Sequence, residues 1–392
     1  MAISFSEFIR RLLPLRGEAA AHYAVLQQHL EPDEEKTVKA MLKLKRAGIS
    51  FSKMEVSKEV GEDASYPQLD PAVMDKEVKS VCDRINRRVL AAEEKTATRH
   101  IGKRGWDLAP LIAPNLVGFD MIKKAVLLQL ISDEPLHILL LGDPGVGKTD
   151  ILHDAAEVSP ISSFGLGSGT SGVGLSAMFK GDKLIKGLLP QADNGLCCID
   201  ELNLMKEQDM AGLYNAMEKG FVSYDKAGKS VRLDARISVL ATANPKGDRF
   251  AGHTVETLHK QLPFDPALLS RFHLVFLVRR PGIDEFKKIS AQIATGKKRV
   301  LKKKDKELLK RWINEIKSKE VVFPAKLKDS VAELAEDIKR HEDKYLIEVS
   351  PRLIIGVIRL AKAVARLEGK KKVDEDALSM AEEILLGSLS IG

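Results

Sequence analysis

Cysteine and long apolar runs are scarce in this sequence. It has three cysteines, two of them adjacent, which excludes the disulfide framework of a small secreted protein. It has no C-x-x-C pair and no Cys/His cluster, so we expect no zinc site. No apolar run approaches the roughly 18 residues of a membrane span, and the N-terminus lacks the apolar segment of a signal peptide. We therefore expect a cytoplasmic protein with no membrane partner.

Aromatic residues are also few, at 5%, but 44% of the 392 residues are hydrophobic, which is enough to form proper cores. This length predicts about two or three domains. The net charge of +7 results from 62 basic and 55 acidic residues, so it permits nucleic-acid binding without requiring it. A lysine-rich run at 297–306 could also contact nucleic acid, but we favour a solvated helix surface there.

The most informative motif is G-x-x-x-x-G-K-[ST], formed by Gly142, Asp143, Pro144, Gly145, Val146, Gly147, Lys148 and Thr149. An apolar run at 138–141 predicts a buried strand before it, and residues 150–158 can form a helix after it. In that setting backbone N–H groups wrap the phosphates of a nucleotide at a positively polarised helix N-terminus. Lys148 would reach the β- and γ-phosphates of ATP, and Thr149 would ligate Mg²⁺. A chance match in a glycine-rich turn is the alternative, which both flanks disfavour.

A second apolar strand, at 196–200, ends in two acids. Asp200 would hold the Mg²⁺ shell, and Glu201 would orient and deprotonate the attacking water. Adjacent carboxylates at a strand end could instead form an ordinary solvated turn. Their spacing of about 50 residues from Lys148 favours nucleotide chemistry, because it leaves room for an intervening helix and strand.

Two further polar residues lie at the ends of predicted strands. Asn244 follows the strand at 237–243, where its amide could hydrogen-bond the γ-phosphate and the attacking water, although an Asn before Pro can also be a turn former. Arg271 precedes the strand at 274–278, and an arginine supplied to a neighbour's γ-phosphate stabilises transition-state charge. Arg271 fits that role if copies of the chain form a ring. An isolated arginine would more often form a surface salt bridge.

The apolar pattern divides the chain into three regions. Residues 1–105 have a helical pattern, and residues 281–392 are helical again, with a helix start at Ser350 and Pro351. Between them, strands and helices alternate, which predicts an α/β fold with a parallel sheet and flanking helices. We predict strands at 137–141, 196–200, 237–243 and 274–278, and helices at 120–131, 149–158 and 205–218.

The order of these motifs resembles that of AAA+ ATPases, and the residues within them resemble those of the minichromosome maintenance (MCM) replicative helicases. The resemblance covers about residues 110–280 and implies an AAA+ core over 106–280 with a helical lid over 281–392, where Arg352 matches the sensor 2 arginine. The matching stretches are IAP (112–114), LVG (116–118), GDPG (142–145), GLCCIDE (195–201), KAG (226–228), ARISVLA (235–241), ANP (243–245) and LSRF (269–272).

The resemblance implies further roles. Strands flanking 225–229 would form a hairpin with Lys226 at its tip and Lys229 beside it, which the family directs at DNA in a central channel. A solvated turn is the alternative. Residues 172–190 match the family's insert in its second helix, another channel element. Arg271 and Arg352 would complete the ATP site from a neighbouring subunit of a homo- or hetero-oligomeric ring. DNA, single- or double-stranded, would be bound without regard to sequence, in a nucleoid-associated prokaryotic protein.

The sequence also departs from the family pattern. The family's N-terminal tier carries a zinc module and an oligonucleotide-binding barrel, whereas the N-terminal segment here is short and helical in pattern, and we do not expect the usual C-terminal winged helix. Asn203 and Leu204 stand where an acid–lysine pair is usual, and His273 stands where an aspartate is usual. Residues 147–149 are closer to the general AAA+ loop than to the family's Ala-Lys-Ser form.

Three functional hypotheses remain open on the sequence. The leading one is an ATP-hydrolysing, MCM-like protein that acts on DNA as a replicative helicase does, with ATP and Mg²⁺ as cofactors. The second, which the lack of the expected N-terminal modules motivates, is a degenerate paralogue that binds ATP and has a regulatory or assembly role without unwinding DNA. The third is a chelatase-like or MoxR-like remodelling ATPase, against which Cys197, Cys198 and the KAG stretch at 226–228 argue.

Overall fold

The computed structural model describes residues 105–390, apart from 181–182, 227–228, 248 and 295–300. Internal contacts divide the chain into one unit of residues 1–99 and a second of residues 100–392. The helical domain predicted for residues 1–105 lies outside the described residues, apart from Gly105. The boundary near residue 280 between core and lid stays a prediction, because the second unit runs across it.

The strands of the described residues form one large sheet and two hairpins. They are β1 Ile138–Gly142, β2 Ser162–Leu166, β3 Ala177–Lys180, β4 Lys183–Lys186, β5 Leu196–Asp200, β6 Phe221–Lys226, β7 Lys229–Asp234, β8 Ser238–Ala243 and β9 Leu274–Val278. The large sheet has the order β2-β5-β8-β1-β9, and all of its neighbours pair in parallel. The hairpins β3/β4 and β6/β7 are antiparallel and stand outside it.

Helices flank the large sheet and continue to the end of the described chain. They are α1 Asp120–Ile131, α2 Lys148–Val158, α3 Gly172–Leu175, α4 Leu188–Gln191, α5 Glu207–Lys219, α6 Val255–His259, α7 Pro266–Leu269, α8 Ile283–Ala294, α9 Lys303–Lys317, α10 Lys328–Arg340, α11 Pro351–Leu367 and α12 Glu375–Leu389. No helix of the described residues is long and apolar enough to cross a bilayer.

The central strands form because their residues are apolar on both faces. Every residue of β1, β5 and β8 is buried, as expected for parallel strands that helices cover on both sides. The four predicted strands and three predicted helices all form, within about two residues of their predicted positions. The predicted α/β fold with a parallel sheet is confirmed. The edge strand β2 was not predicted from the sequence.

The two adjacent cysteines belong to the core of the sheet. Cys197 and Cys198 are buried in β5, and the thiol of Cys198 donates to the carbonyl oxygen of Leu152 at 3.6 Å. Burial raises the pKa of Cys197 to about 12, so this thiol stays protonated at neutral pH. Both cysteines therefore act as small core residues, as the sequence suggested.

Helix α11 joins the C-terminal helices to the sheet. It begins with Pro351 at its first position, as predicted, and Leu353, Val357, Leu360 and Val364 are buried on one face. At its other end the fully buried guanidinium of Arg366 pairs with Asp133 at 2.6 Å, just after α1. One turn earlier, Lys362 pairs with Glu134 at 2.5 Å. The helix is thus fixed by apolar packing and by ion pairs to the segment between α1 and β1.

Two buried histidines lie where β1 and β9 begin. The rings of His137 and His273 are 5.0 Å apart, and the Nδ1 of His273 accepts from the backbone N–H of His137 at 2.9 Å. The Nδ1 of His137 accepts from the N–H of Val239, which leaves its Nε2 to donate to the carbonyl of Met217 at 3.2 Å. Burial, assisted by the charge of Arg359, lowers the pKa of His137 to about 3.

The histidine pair predicts that the fold loses stability in mild acid. Between about pH 6.5 and the folded-state pKa of about 3, the unfolded chain binds a proton that folded His137 does not. The free energy of unfolding therefore falls as the pH drops below 6.5, by about 2 kcal/mol at pH 5 for this one residue. Thermal unfolding at pH 7 and pH 5 measures the effect, and His137→Gln should show a smaller decrease in Tm. An equal decrease in both proteins would contradict this prediction.

Candidate nucleotide-binding site

The loop between β1 and α2 has the shape that its glycines permit. A Cβ on Gly142 would lie 2.0 Å from the carbonyl oxygen of Val278, so only glycine lets β1 end this close to β9. Gly145 and Gly147 have φ angles of 77° and 91°, in the left-handed region that side chains other than glycine rarely adopt. The helix α2 then begins at Lys148, as a phosphate-binding loop requires.

Lys148 lies buried at the centre of the loop. Its Nζ donates to the carbonyl oxygens of Gly142 at 2.7 Å and Asp143 at 2.6 Å, and to the Oδ1 of Asn244 at 3.1 Å. Burial lowers its pKa to about 8, against the opposing effect of nearby carboxylates, of which Asp143 has the largest. The ammonium is therefore held by neutral acceptors that a more strongly charged phosphate oxygen could replace.

Asp200 collects two hydroxyl groups from neighbouring elements. The Oγ1 of Thr149 lies 3.0 and 3.2 Å from its two carboxylate oxygens, and the Oγ1 of Thr242 donates to it at 2.5 Å. A threonine hydroxyl beside a carboxylate is the donor set that holds Mg²⁺ at a P-loop. No group of three or more metal-ligating His, Cys, Asp or Glu side chains occurs among the described residues. Thr149 and Asp200 supply only two side-chain ligands, which fits an Mg²⁺ ion that binds together with its nucleotide.

Glu201 is held by the same threonine. Its backbone N–H donates to the Oγ1 of Thr242 at 2.9 Å, so this one hydroxyl contacts both acids. Glu201 has φ 53° and ψ 47°, a conformation that is uncommon for a residue with a side chain. A Cβ on Gly167 would lie 2.1 Å from the carbonyl oxygen of Glu201, so the two segments touch there. Backbone strain of this kind persists where surrounding contacts hold it, and it clusters at active sites.

Asn244 joins the two halves of the site. Its Oδ1 accepts from Lys148, and its backbone N–H donates to the Oδ1 of Asn203 at 3.0 Å. Asn203 was noted in the sequence only as a departure from the family pattern, and it proves to fix the loop after β8. The carboxylate of Asp143 accepts from the N–H of Phe250 at 2.8 Å, so this side chain shapes the loop as well. Its contact with nucleotide stays a prediction.

Sequence reasoning missed Thr242. A threonine in a strand is an ordinary β-former, so its residue type does not mark it as part of a site. One signal was present, because β8 was predicted as a strand ending at Asn244, and Thr242 lies two residues before that end. Residues that far apart share one face of a strand. The structure confirms that face as the one beside Asp200.

Arg271 and Arg352 lie together elsewhere. The Nη2 atoms of Arg271 and Arg352 are 3.3 and 3.6 Å from the same oxygen of Glu218. Their described polar contacts go to Glu218, Ala267 and Ser270. None of these contacts goes to the loop at 142–149, to Asp200 or to Glu201. The structure therefore brings together Lys148, Thr149, Asp200, Glu201 and Asn244 as one group and the two arginines as another.

The hairpin β6/β7 carries the two lysines that the sequence associated with DNA. Backbone pairing puts Lys226 opposite Lys229, at the last pair before residues 227–228. The ring of Tyr224 lies 5.8 Å from that of Phe179 in the hairpin β3/β4, so the two hairpins are in contact. Of the lysine-rich run at 297–306, Lys303 is exposed on α9, and Lys306 of the same helix pairs with Glu157.

Comparison with known proteins gives consistent matches. The sequence profile of the MCM P-loop domain matches residues 98–295. DNA replication licensing factor mcm7-B of Xenopus laevis is 31% identical over 302 residues, which cover 70% of this chain and 41% of that protein. The mcm7 licensing factor of Schizosaccharomyces pombe is 32% identical over 298 residues, 68% of this chain and 39% of that protein.

An archaeal relative matches a longer part of the sequence. The minichromosome maintenance protein MCM of Saccharolobus solfataricus is 27% identical over 362 residues, which cover 83% of this chain and 52% of that protein. This chain thus spans about half the length, or less, of these relatives. The matched region contains the phosphate-binding loop, both acids and the two hairpins. On these matches, the chain belongs to the minichromosome maintenance family and carries its P-loop domain.

Proposed function

We propose that this chain binds ATP with Mg²⁺, hydrolyses it in sites shared between copies of the chain, and uses the cycle to act on DNA as a helicase-type motor. One observation carries the proposal. Lys148, Thr149 and Asp200 lie together with Glu201 and Asn244, whereas Arg271 and Arg352 pair with Glu218 instead. A site divided in this way is complete only when a second copy supplies its arginines.

Within one copy, each residue has a chemical task. The loop at 142–149 and Lys148 bind the phosphates, and Mg²⁺, when bound beside Thr149 and Asp200, supplies charge neutralisation. Glu201 accepts the proton of the water that attacks the γ-phosphorus, and the bond to the β,γ-bridging oxygen breaks. The Oδ1 of Asn244 accepts from Lys148 at 3.1 Å, which leaves the amide N–H₂ group to donate to the γ-phosphate.

DNA is the second partner in this proposal. The relatives are named as DNA replication licensing factors and as a minichromosome maintenance protein, and the hairpin β6/β7 places two lysines at its tip. A mobile cation near phosphates binds DNA without regard to sequence and in a salt-dependent way. The family match does not favour the chelatase-like or MoxR-like alternative.

The test of the function is ATP turnover against protein concentration, with and without single-stranded DNA. We expect specific activity to rise with concentration, because arginines from a second copy must arrive, and to rise further with DNA. Glu201→Gln should lower turnover at least about a hundredfold while fluorescent ATP still binds. Glu207→Gln, at the start of α5, is the matched control and should leave turnover unchanged. A concentration-independent rate equal to that of Glu201→Gln would favour the non-motor paralogue.

The lowered pKa of Lys148 predicts how ATP affinity depends on pH. Phosphate oxygens beside the ammonium would raise its pKa from about 8, so binding above pH 8 takes up a proton and weakens as the pH rises. From pH 8 to pH 9 the Kd for ATP should increase about fivefold. Titration calorimetry measures both the Kd and the proton uptake. Lys148→Arg stays charged, so a similar increase in that variant would show that another group titrates.

The hairpin lysine should act only through DNA. We expect Lys226→Ala to keep the basal ATPase rate and to lose most of the stimulation by DNA, because the pocket residues are elsewhere. Its DNA affinity should also depend less steeply on salt, since one phosphate contact is gone. Lys326→Ala, which changes an exposed lysine between α9 and α10, is the control. DNA stimulation that survives in Lys226→Ala would exclude the hairpin as the moving contact.

A further inference from the structure

Glu218 joins two arginines that the sequence places 81 residues apart. It lies in the last turn of α5, Arg271 follows α7, and Arg352 is the second residue of α11. One carboxylate oxygen, Oε2, lies 3.3 Å from the Nη2 of Arg271 and 3.6 Å from the Nη2 of Arg352. Two cations therefore share one anion, and the group keeps a net positive charge.

Arg271 is restrained by more than this ion pair. Its guanidinium carbon lies 4.6 Å from the centroid of the Tyr214 ring, one turn earlier on α5 than Glu218. Its Nη1 donates to the carbonyl oxygen of Ala267, whereas its Nε is buried with no hydrogen-bond partner among the described residues. The side chain is 19% exposed, compared with 31% for Arg352 and 46% for Glu218. Both arginines are thus restrained by contacts with neighbouring groups, yet solvent can reach them.

The elements that carry these residues are fixed to one another underneath. The Nε2 of His137 contacts the carbonyl oxygen of Met217, the residue before Glu218. The backbone N–H of His273, two residues after Arg271, donates to the carbonyl oxygen of His137 at 2.9 Å. The Nη1 of Arg359 lies 3.0 Å from the Nε2 of His273, and Arg359 is two turns from Arg352 on α11. The buried pair of His137 and His273 therefore fixes the elements that carry all three charged residues relative to one another.

We propose that Glu218 is a positioning residue, which holds Arg271 and Arg352 together as one receiver for the terminal phosphate of a nucleotide bound by a second copy of the chain. This inference rests on the proposed function. Without a carboxylate between them, two guanidinium groups repel each other and sample separate rotamers. A triphosphate carries more negative charge and more acceptor oxygens than one carboxylate, so the arginines can move to it from this arrangement. An incidental surface salt bridge is the competing account.

The first test separates the two accounts by kinetics. Glu218→Gln should lower kcat for ATP between about tenfold and a hundredfold, because misplaced arginines stabilise the transition state poorly. The KM for ATP should change less than about twofold, since the nucleotide is bound by the other group of residues. Glu218→Asp should restore part of kcat. Glu336→Gln, which removes a comparable surface pair with Arg340, is the control and should match the wild type.

A second test asks whether Glu218 acts through the arginines. In a chain that already carries Arg271→Ala and Arg352→Ala, turnover is already lost, so the readout is oligomer formation with a non-hydrolysable ATP analogue, which adding Glu218→Gln should not change further. A full additional loss would mean that Glu218 acts by another route. Thermal unfolding of Glu218→Gln should match that of Glu336→Gln, which excludes misfolding as the cause.

The outcomes distinguish the two levels of the proposal. If Arg271→Ala and Arg352→Ala each abolish turnover but Glu218→Gln behaves like the wild type, the shared site stands and the role of Glu218 is wrong. If both arginine variants keep the wild-type rate, the shared site itself is wrong, and the positioning role falls with it. A loss of kcat in Glu218→Gln, with KM unchanged and partial recovery in Glu218→Asp, supports both.

Discussion

The hydroxyl of Thr242 is the contact on which the candidate nucleotide-binding site depends. Because β1, β5 and β8 are parallel neighbours, their carboxyl ends meet at one edge, and polar residues there must satisfy one another. Thr242 donates to the carboxylate of Asp200 and accepts from the backbone of Glu201. A single buried group therefore sets the position of Asp200 relative to Glu201.

The second constraint is the buried histidine cluster beneath the arginines. His137 and His273 stay uncharged because burial and the charge of Arg359 disfavour their protonated forms. An uncharged ring can accept at one nitrogen and donate at the other. The Nδ1 of His273 accepts from the backbone N–H of His137, the Nε2 of His137 donates to the carbonyl oxygen of Met217 in α5, and the Nε2 of His273 accepts from Arg359 of α11. The pocket and the arginine pair are thus built on separate polar networks of one fold.

The sequence predicts the central strands and the loop at 142–149, because buried parallel strands are continuous apolar runs and a phosphate-binding loop has a fixed residue pattern. The edge strand β2 was not predicted, since Ser162–Leu166 has only two apolar side chains, separated by a glycine, and no buried run. Glu218 was not singled out either, because an acid beside a lysine at a helix end resembles a solvated surface. Only the tertiary structure brings it to Arg271 and Arg352, and no spacing along the chain encodes that meeting.

Helix α5 has a position whose mechanical consequence is general. Near its first turn, Asp209 accepts from the backbone N–H of Gly172 at 2.6 Å, which ties it to the segment leading into the hairpin β3/β4. At its other end it turns through Gly220 directly into β6, and Glu218 there faces the arginines. A helix of 13 residues is a rigid rod about 20 Å long. A tilt of α5 would therefore displace both hairpins and the arginine pair together.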